Sequence, residues 1–201
     1  MKNDTILIIG NGNSITKNEL GEYINQYNYI ARINNYKIKG YEKYLGKKTD
    51  IWLNGANSKL NKRNKYPEEI LVFIPSLVLN AKRDKVEEYV SKRLKLNYDK
   101  FKVVPKNEII EYENIINHNR LTTGLYAILW GLKYFNNVVI YGFDFFIDSK
   151  THYFDSKFER FLSNYILRKG HKHDNKKEKE YVDKMISNKK IKRLEDCCFE
   201  K

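Results

Sequence analysis

Short apolar runs and amphipathic stretches take turns along this chain. Ile6-Leu7-Ile8-Ile9, entered from Thr5, is continuous and rich in β-branched residues, the pattern of a strand buried on both faces. It runs into Gly10-Asn11-Gly12-Asn13-Ser14, a turn. Residues 18–26 put Leu20, Tyr23 and Ile24 on one helical face. Strands follow over 29–33, ending at Asn34-Asn35, over 50–53, ending at Asn54-Gly55, and over 70–74, closed by Pro75. Residues 83–94 form a helix with Val86, Tyr89, Val90 and Leu94 in one stripe. A short strand over 101–104 precedes Pro105, and Asn107 caps a short helix carrying Ile109, Ile110 and Tyr112. The strongest helix opens at Thr122 or Thr123 and carries Leu125, Ile128, Leu129 and Leu132 as far as Tyr134. A buried strand over 138–141 then ends at Gly142.

This alternation predicts an α/β fold with a doubly wound, mostly parallel sheet in a single domain over 1–201. From 143 to about 178 the pattern is irregular, aromatic and charged, which is the mark of a lid or binding loop. A helix over 178–187 presents Tyr181, Val182, Met185 and Ile186, and 191–199 reads as a last edge strand.

Composition changes the picture in three ways. The chain has 201 residues, 41% hydrophobic and 31% charged, enough for a sizeable core and too apolar for disorder. No apolar run reaches the roughly 20 residues that span a bilayer, and the first residues lack the pattern of a signal peptide. The two cysteines, Cys197 and Cys198, are adjacent, so we expect no disulfide framework and a cytoplasmic location. The net charge is +13, and Lys37, Lys39, Lys43, Lys47, Lys48, Lys59, Lys62, Arg63 and Lys65 face only Glu42 and Asp50 between 37 and 65. One reading is an ordinary solvated surface. The other is attraction to anionic lipid headgroups, which would place the protein on the inner face of the membrane, or to anionic glycans or nucleic acid. No nucleic-acid module is recognisable, so nucleic acid is not an expected partner.

The candidate chemistry lies where strands end. Gly10 and Gly12 let backbone approach a phosphate or ribose, and the following helix N-terminus favours an anion, although the same residues also make a plain turn. Ile15 stands where a dinucleotide fingerprint needs its third glycine, and strand 29–33 ends in Arg32 and asparagines instead of an acidic residue. This disfavours a nicotinamide-dependent oxidoreductase. Asn11, Asn34 and Asn54 follow three predicted strands and should gather at one sheet edge, where amides suit a pyrimidine or simply end the strands. Thr122, Thr123 and Gly124 open a helix, as a phosphate or carboxylate site or as its cap. No D-x-D pair occurs and no histidine pair has zinc spacing, so we expect neither metal nor cofactor. His152 and Tyr153 are the right types to stabilise a departing phosphate. His173, with Glu178 five residues on, is the candidate general base, in preference to His171.

Taken in order, Gly10-Asn11-Gly12-Asn13-Ser14, Arg32-Ile33-Asn34, Tyr44-Leu45-Gly46-Lys47-Lys48, Arg120-Leu121-Thr122-Thr123-Gly124, Tyr141-Gly142-Phe143-Asp144-Phe145-Phe146 and the late His-Glu pair resemble the bacterial sialyltransferases of glycosyltransferase family 42. The Thr-Gly, Tyr-Gly-Phe and His-x-x-x-x-Glu elements also resemble the sialylmotifs of family 29. The resemblance implies a modified Rossmann-type, GT-A-like domain with a flexible C-terminal lid. It implies inverting, metal-independent transfer of sialic acid, or a related ulosonic acid such as Kdo, from its CMP-activated form to a glycan hydroxyl of a lipooligosaccharide or capsule; whether the chain forms a homo-oligomer is left open by the sequence. It assigns Gly10, Asn11, Gly12, Ser14, Asn34, Asn54, Thr122, Thr123, Gly124 and Asp144 to the donor, Arg120 and Asn35 to the acceptor or the sugar, and His173 to proton removal. Two family tyrosines that would hold the departing phosphate fall on Phe146 and His152. The alternatives are a basic binding protein for nucleic acid or anionic glycan, and a nucleotide-binding protein without transferase activity.

Overall fold

The structure is a computed structural model that describes residues 3–144, 152–155 and 174–199. Its centre is β1 (Asn3–Ile9), whose apolar run is buried completely: Ile6, Leu7 and Ile8 have no exposed surface. Strands at this depth need cover on both faces. Ile6 and Ile8 point into one core, shared with Leu125, Ile128 and Leu129 of α6 (Thr123–Tyr134). Leu7 and Ile9 point into a second, smaller core with Ile15, Leu20, Ile24 and Leu45.

On one side β1 pairs in parallel with β2 (Tyr29–Ile33), and beyond it lie β3 (Ile51–Asn54), β4 (Glu69–Val72) and β5 (Lys102–Val103). On the other side it pairs in parallel with β6 (Phe135–Tyr141), followed by β7 (Lys192–Arg193). The order among the described residues is β5-β4-β3-β2-β1-β6-β7, and every pairing is parallel. The chain therefore reverses its direction of winding between β1 and β6. In open α/β sheets, ligands bind at the carboxyl ends of the strands flanking that switch point. The expected doubly wound, mostly parallel sheet is what the structure contains.

Several elements differ from the sequence reading. The helix over 18–26 is reduced to α1 (Gly21–Ile24), preceded by a 3-10 turn at Asn13–Lys17. A Cβ at Gly21 would overlap the Glu42 carbonyl oxygen, so α1 packs tightly on α2 (Glu42–Leu45), a short helix with no sequence periodicity of its own. The stretch 83–94 divides into a 3-10 turn and α4 (Val86–Leu94), and α3 (Ser76–Lys82) precedes it unforeseen. Asn107 is not a cap: α5 (Lys106–Ile116) starts one residue earlier, with the extended Pro105 in the cap position. The expected edge strand over 191–199 is only the two residues of β7. Leu194 is fully buried against the second core, and Glu195 and Asp196 favour the first turn of a helix, so the chain continues as α8 (Leu194–Phe199). Residues 175–177 belong to α7 (Asn175–Ser187), which is capped by the Asp174 carboxylate on the Lys177 amide at 3.1 Å. Among the described residues, no helix is long and apolar enough to cross a membrane.

Candidate functional site

A cleft opens at the switch point. It is lined by Gly10, Asn11 and Gly12 after β1, Ile33 and Asn34 at the end of β2, Thr122, Thr123 and Gly124 at the start of α6, Gly142, Phe143 and Asp144 after β6, and by His152 and Asn175. Its floor exists because two strand ends run side by side beyond the sheet. The Gly10 amide donates to the Tyr141 carbonyl and the Gly12 amide to the Gly142 carbonyl, both at 2.8 Å. A Cβ at Gly10 would overlap the Gly142 carbonyl oxygen, and one at Gly12 would overlap the Asp144 carboxylate. Gly142 adopts φ +70°, which side-chain-bearing residues rarely take. Gly10 thus serves close backbone approach, Gly12 leaves room for the Asp144 carboxylate, and Gly142 supplies the left-handed turn.

Asp144 locks this floor. Its Oδ2 accepts from the Ser14 amide at 3.0 Å and its Oδ1 from the Ser14 hydroxyl at 2.5 Å. Ser14 is therefore bound to Asp144 beneath the cleft and does not line it.

The three strand-end asparagines do gather at one edge of the sheet, in unequal roles. Asn11 donates through Nδ2 to the Ile33 carbonyl at 2.9 Å, tying β1 to β2, and its Oδ1 is buried with no hydrogen-bond donor among the described residues. Asn34 takes φ +48° and accepts from the Gly55 amide at 3.1 Å. Asn54 is fully buried, turns the chain by accepting from the Ala56 amide at 3.1 Å, and does not line the cleft. Asn35 is also outside it. Its side chain clamps the Lys59 carbonyl and the Asn61 amide, each at 2.8 Å.

Thr122 is the N-cap of α6, its hydroxyl oxygen accepting from the Leu125 amide at 3.2 Å. It also donates twice to Glu178 of α7, through its amide at 2.8 Å and its hydroxyl at 2.5 Å. Glu178 is 1% exposed, and burial raises its carboxyl pKa to about 7 against the pull of those two bonds. The cleft thus receives the positive end of a twelve-residue helix, a suitable place for an anion. The sequence reading had paired Glu178 with His173. His173, His171 and Phe146 lie outside the described residues, and so does most of the expected lid.

His152 and Tyr153 part company. His152 lines the cleft, its ring stacked on Phe154 with centroids 5.2 Å apart, and burial lowers its pKa although Asp155 and Asn11 oppose that. Tyr153 turns away. Its hydroxyl donates to the Lys37 carbonyl at 2.7 Å and accepts from the Lys37 amide at 2.9 Å, its ring meets Tyr41 edge-on, and burial raises its pKa to about 12. Tyr153 thus fastens the loop after β2 and is not among the residues that line the cleft. Arg120 is exposed and outside the lining, its amide donating to His118 Nδ1 at 3.2 Å. Asn175, the first residue of α7, has no role in the sequence reading, and Ile33 appears there only within the motif Arg32-Ile33-Asn34. The same reading included Gly142 and Phe143 in a motif without giving them a role. Among the described residues no group of three His, Cys, Asp or Glu side chains comes together as a metal site.

The chain matches glycosyltransferase family 29 (sialyltransferase) over residues 4–190. It is 28% identical over 68 residues to the human CMP-N-acetylneuraminate-beta-1,4-galactoside alpha-2,3-sialyltransferase, covering 34% of this chain and 18% of that protein. It is 40% identical over 47 residues to the mouse CMP-N-acetylneuraminate-beta-galactosamide-alpha-2,3-sialyltransferase 4, covering 23% of this chain and 14% of the relative. In fold it is similar to a mammalian sialyltransferase (TM-score 0.69, 16% identity, 96% of this chain and 69% of that one). It is also similar to the sialyltransferase CstII from Campylobacter jejuni in complex with the substrate analogue CMP-3FNeuAc (TM-score 0.60, 17% identity, 96% and 81%).

Proposed function

The chain belongs to glycosyltransferase family 29, the sialyltransferases, and from that premise we propose that it transfers sialic acid from CMP-sialic acid to a glycan hydroxyl, with the switch-point cleft as its donor site. The observation that carries the reading is the Asn11 side chain. Its amide is committed to the Ile33 carbonyl, and its Oδ1 is left as a buried acceptor with no donor among the described residues, in the same cleft as the N-terminus of α6. A buried acceptor left unpaired is costly, and a ligand N–H or O–H would satisfy it. A cytosine amino group or a ribose hydroxyl has that chemistry, and the helix end suits the phosphate of the same nucleotide. Support comes also from the relatives, named for CMP-N-acetylneuraminate, and from CstII, which was solved with CMP and with a CMP-sugar analogue.

On this reading the leaving CMP phosphate sits against the α6 N-terminus and Thr123, and His152 donates a hydrogen bond to it. The sugar centre becomes oxocarbenium-like. His173 removes the acceptor's proton, and attack from the opposite face inverts the configuration. The finer assignments are ours as well: kinship with family 42 and a GT-A-like fold from the motif order, an acceptor on a lipooligosaccharide or capsule, a related ulosonic acid as an alternative donor, a homo-oligomer, and a location in the cytoplasm or on the inner membrane face. Independence from divalent metal rests on the lack of a D-x-D pair. Calorimetry tests the donor site: CMP should bind well above AMP, GMP and NAD, and NAD binding as tightly as CMP would overturn the reading. Activity should survive EDTA within about a factor of two, and a complete loss restored by magnesium would overturn the metal-independent part.

A further inference from the structure

The excess positive charge is not spread evenly. Of the nine cations between 37 and 65, Lys43, Lys47 and Lys48 lie against α1 and the start of β2. Lys43 pairs with Glu19, Lys48 pairs with Asp50 and bonds the Tyr27 carbonyl, and the Lys47 amide bonds Asn25. The other six, Lys37, Lys39, Lys59, Lys62, Arg63 and Lys65, all follow the carboxyl ends of β2 and β3, the end of the sheet that carries the cleft. None of the six forms an ion pair among the described residues. The two acids of the segment are engaged elsewhere: Glu42 accepts from the Gly40 amide at 2.8 Å, and Asp50 from the Ile30 amide at 2.8 Å.

These loops are fastened to the cleft wall. Asn34 lines the cleft, and its carbonyl accepts from Arg63 at 3.2 Å. Its neighbour Asn35 clamps residues 59 and 61. The Arg63 guanidinium lies 3.5 Å from the centroid of the Tyr36 ring and 5.2 Å from that of Trp52, and its buried Nε has no acceptor. Behind it, Arg32 is fully buried with no carboxylate partner. It bonds Thr49 and the carbonyls of Leu45 and Lys48, and its Nη1 has no acceptor. Two desolvated guanidiniums and five lysines, none ion-paired among the described residues, thus belong to β2 and to the loops that follow β2 and β3, beside the Asn34 wall of the cleft. Low-dielectric surroundings strengthen the field of the two guanidiniums, while the exposed lysines act through solvent.

We propose that the loops after β2 and β3 form an acceptor subsite for an anionic glycan, one that carries carboxylate or phosphate groups close to the hydroxyl receiving the sugar. This rests on the transferase reading and names the acceptor class within it. An anionic membrane would use the same charges, but it would not need them stapled to Asn34 and Asn35 at the rim of the cleft.

The test compares oligosaccharides of matched length, neutral or containing uronic acid, as acceptors and as ligands titrated directly without donor. Vesicles of phosphatidylcholine with and without phosphatidylglycerol run in parallel. At low salt the acidic oligosaccharide should have a KM and a Kd at least about tenfold lower than the neutral one, narrowing as salt screens the charges. Lys59→Gln/Lys62→Gln should remove most of that preference and shift the Kd of CMP less than about twofold. Lys85→Gln/Lys95→Gln, which remove the same charge beside α4, should keep it. Equal affinity for acidic and neutral oligosaccharides, equal loss in both double variants, or binding to anionic vesicles alone would each overturn the proposal. Failure to bind CMP would instead overturn the transferase reading, and the direct titration would still decide whether the anionic site exists.

Discussion

The Glu178 carboxylate receives both the amide and the hydroxyl of Thr122, at 2.8 and 2.5 Å, and so ties α7 to the N-terminus of α6. The two residues are 56 positions apart, and the contact joins a residue of the cleft lining to α7. A buried acid whose charged form is only partly compensated makes stability depend on pH.

The folded-state pKa of Glu178 is raised by burial to about 7 from an ordinary 4.5. Between those values the native protein holds the proton more tightly than the unfolded chain. This contribution to stability is therefore complete below about 4.5, declines as pH rises, and is lost above about 7. Thermal midpoints of the wild type should fall relative to those of Glu178→Gln over that window. Glu178→Ala should cost about 1–3 kcal/mol at pH 5 by leaving Thr122's donors unpaired. Parallel pH curves for wild type and Glu178→Gln would contradict this.

The floor of the cleft makes a steric prediction. Gly10→Ala drives a methyl into the Gly142 carbonyl, which is backbone and cannot swing away. Overpacking of this kind costs about 1–3 kcal/mol, read as a lower denaturation midpoint, and CMP affinity should fall with it. Gly40→Ala, where nothing stands within 4 Å of the added methyl but φ is +87°, should lower the midpoint through backbone strain and leave CMP affinity intact.

Ser14 and Asp144 should behave as a unit. Hydrogen bonds to a charged group are worth about 1.5–3 kcal/mol, so a cycle of Ser14→Ala, Asp144→Asn and the double variant should show a coupling near that size by denaturation. Purely additive effects would mean that the two do not support each other.

His173→Ala should lower kcat by about a hundred- to ten-thousandfold with little change in CMP affinity, because the base acts on the acceptor side. His171→Ala should be much milder. Steady-state kinetics on both variants decides which histidine carries the proton transfer.

Much of this architecture is readable from the chain because its centre is made of uninterrupted apolar runs. Ile6 to Ile9 and Val138 to Tyr141 are buried, and short β-branched runs of this kind that end at glycine suit strands covered on both faces. The glycines and asparagines that follow mark the strand ends, and hence the cleft. What escaped the reading depends on contacts distant in sequence. α2 forms where α1 packs on it through Gly21, and the Ser76 amide at the start of α3 donates to Glu113, 37 residues away. Neither helix has a periodic face long enough to detect. His152 and Tyr153 are equivalent as sequence, yet one ring enters the cleft and the other is held by the backbone of Lys37. Glu178 did leave a signal: it shares a helical stripe with Tyr181, Val182 and Met185, where a charged residue must be buried and needs donors.

The central claim is a chemical transfer, and mass spectrometry of the full chain incubated with a panel of CMP-sugars and glycan acceptors tests it most directly. The account predicts that CMP-sialic acid, or a closely related CMP-ulosonic acid, releases CMP while the acceptor gains the mass of that sugar. Absence of any acceptor product across the panel, or transfer only from a nucleotide sugar with a base other than cytosine, would contradict it.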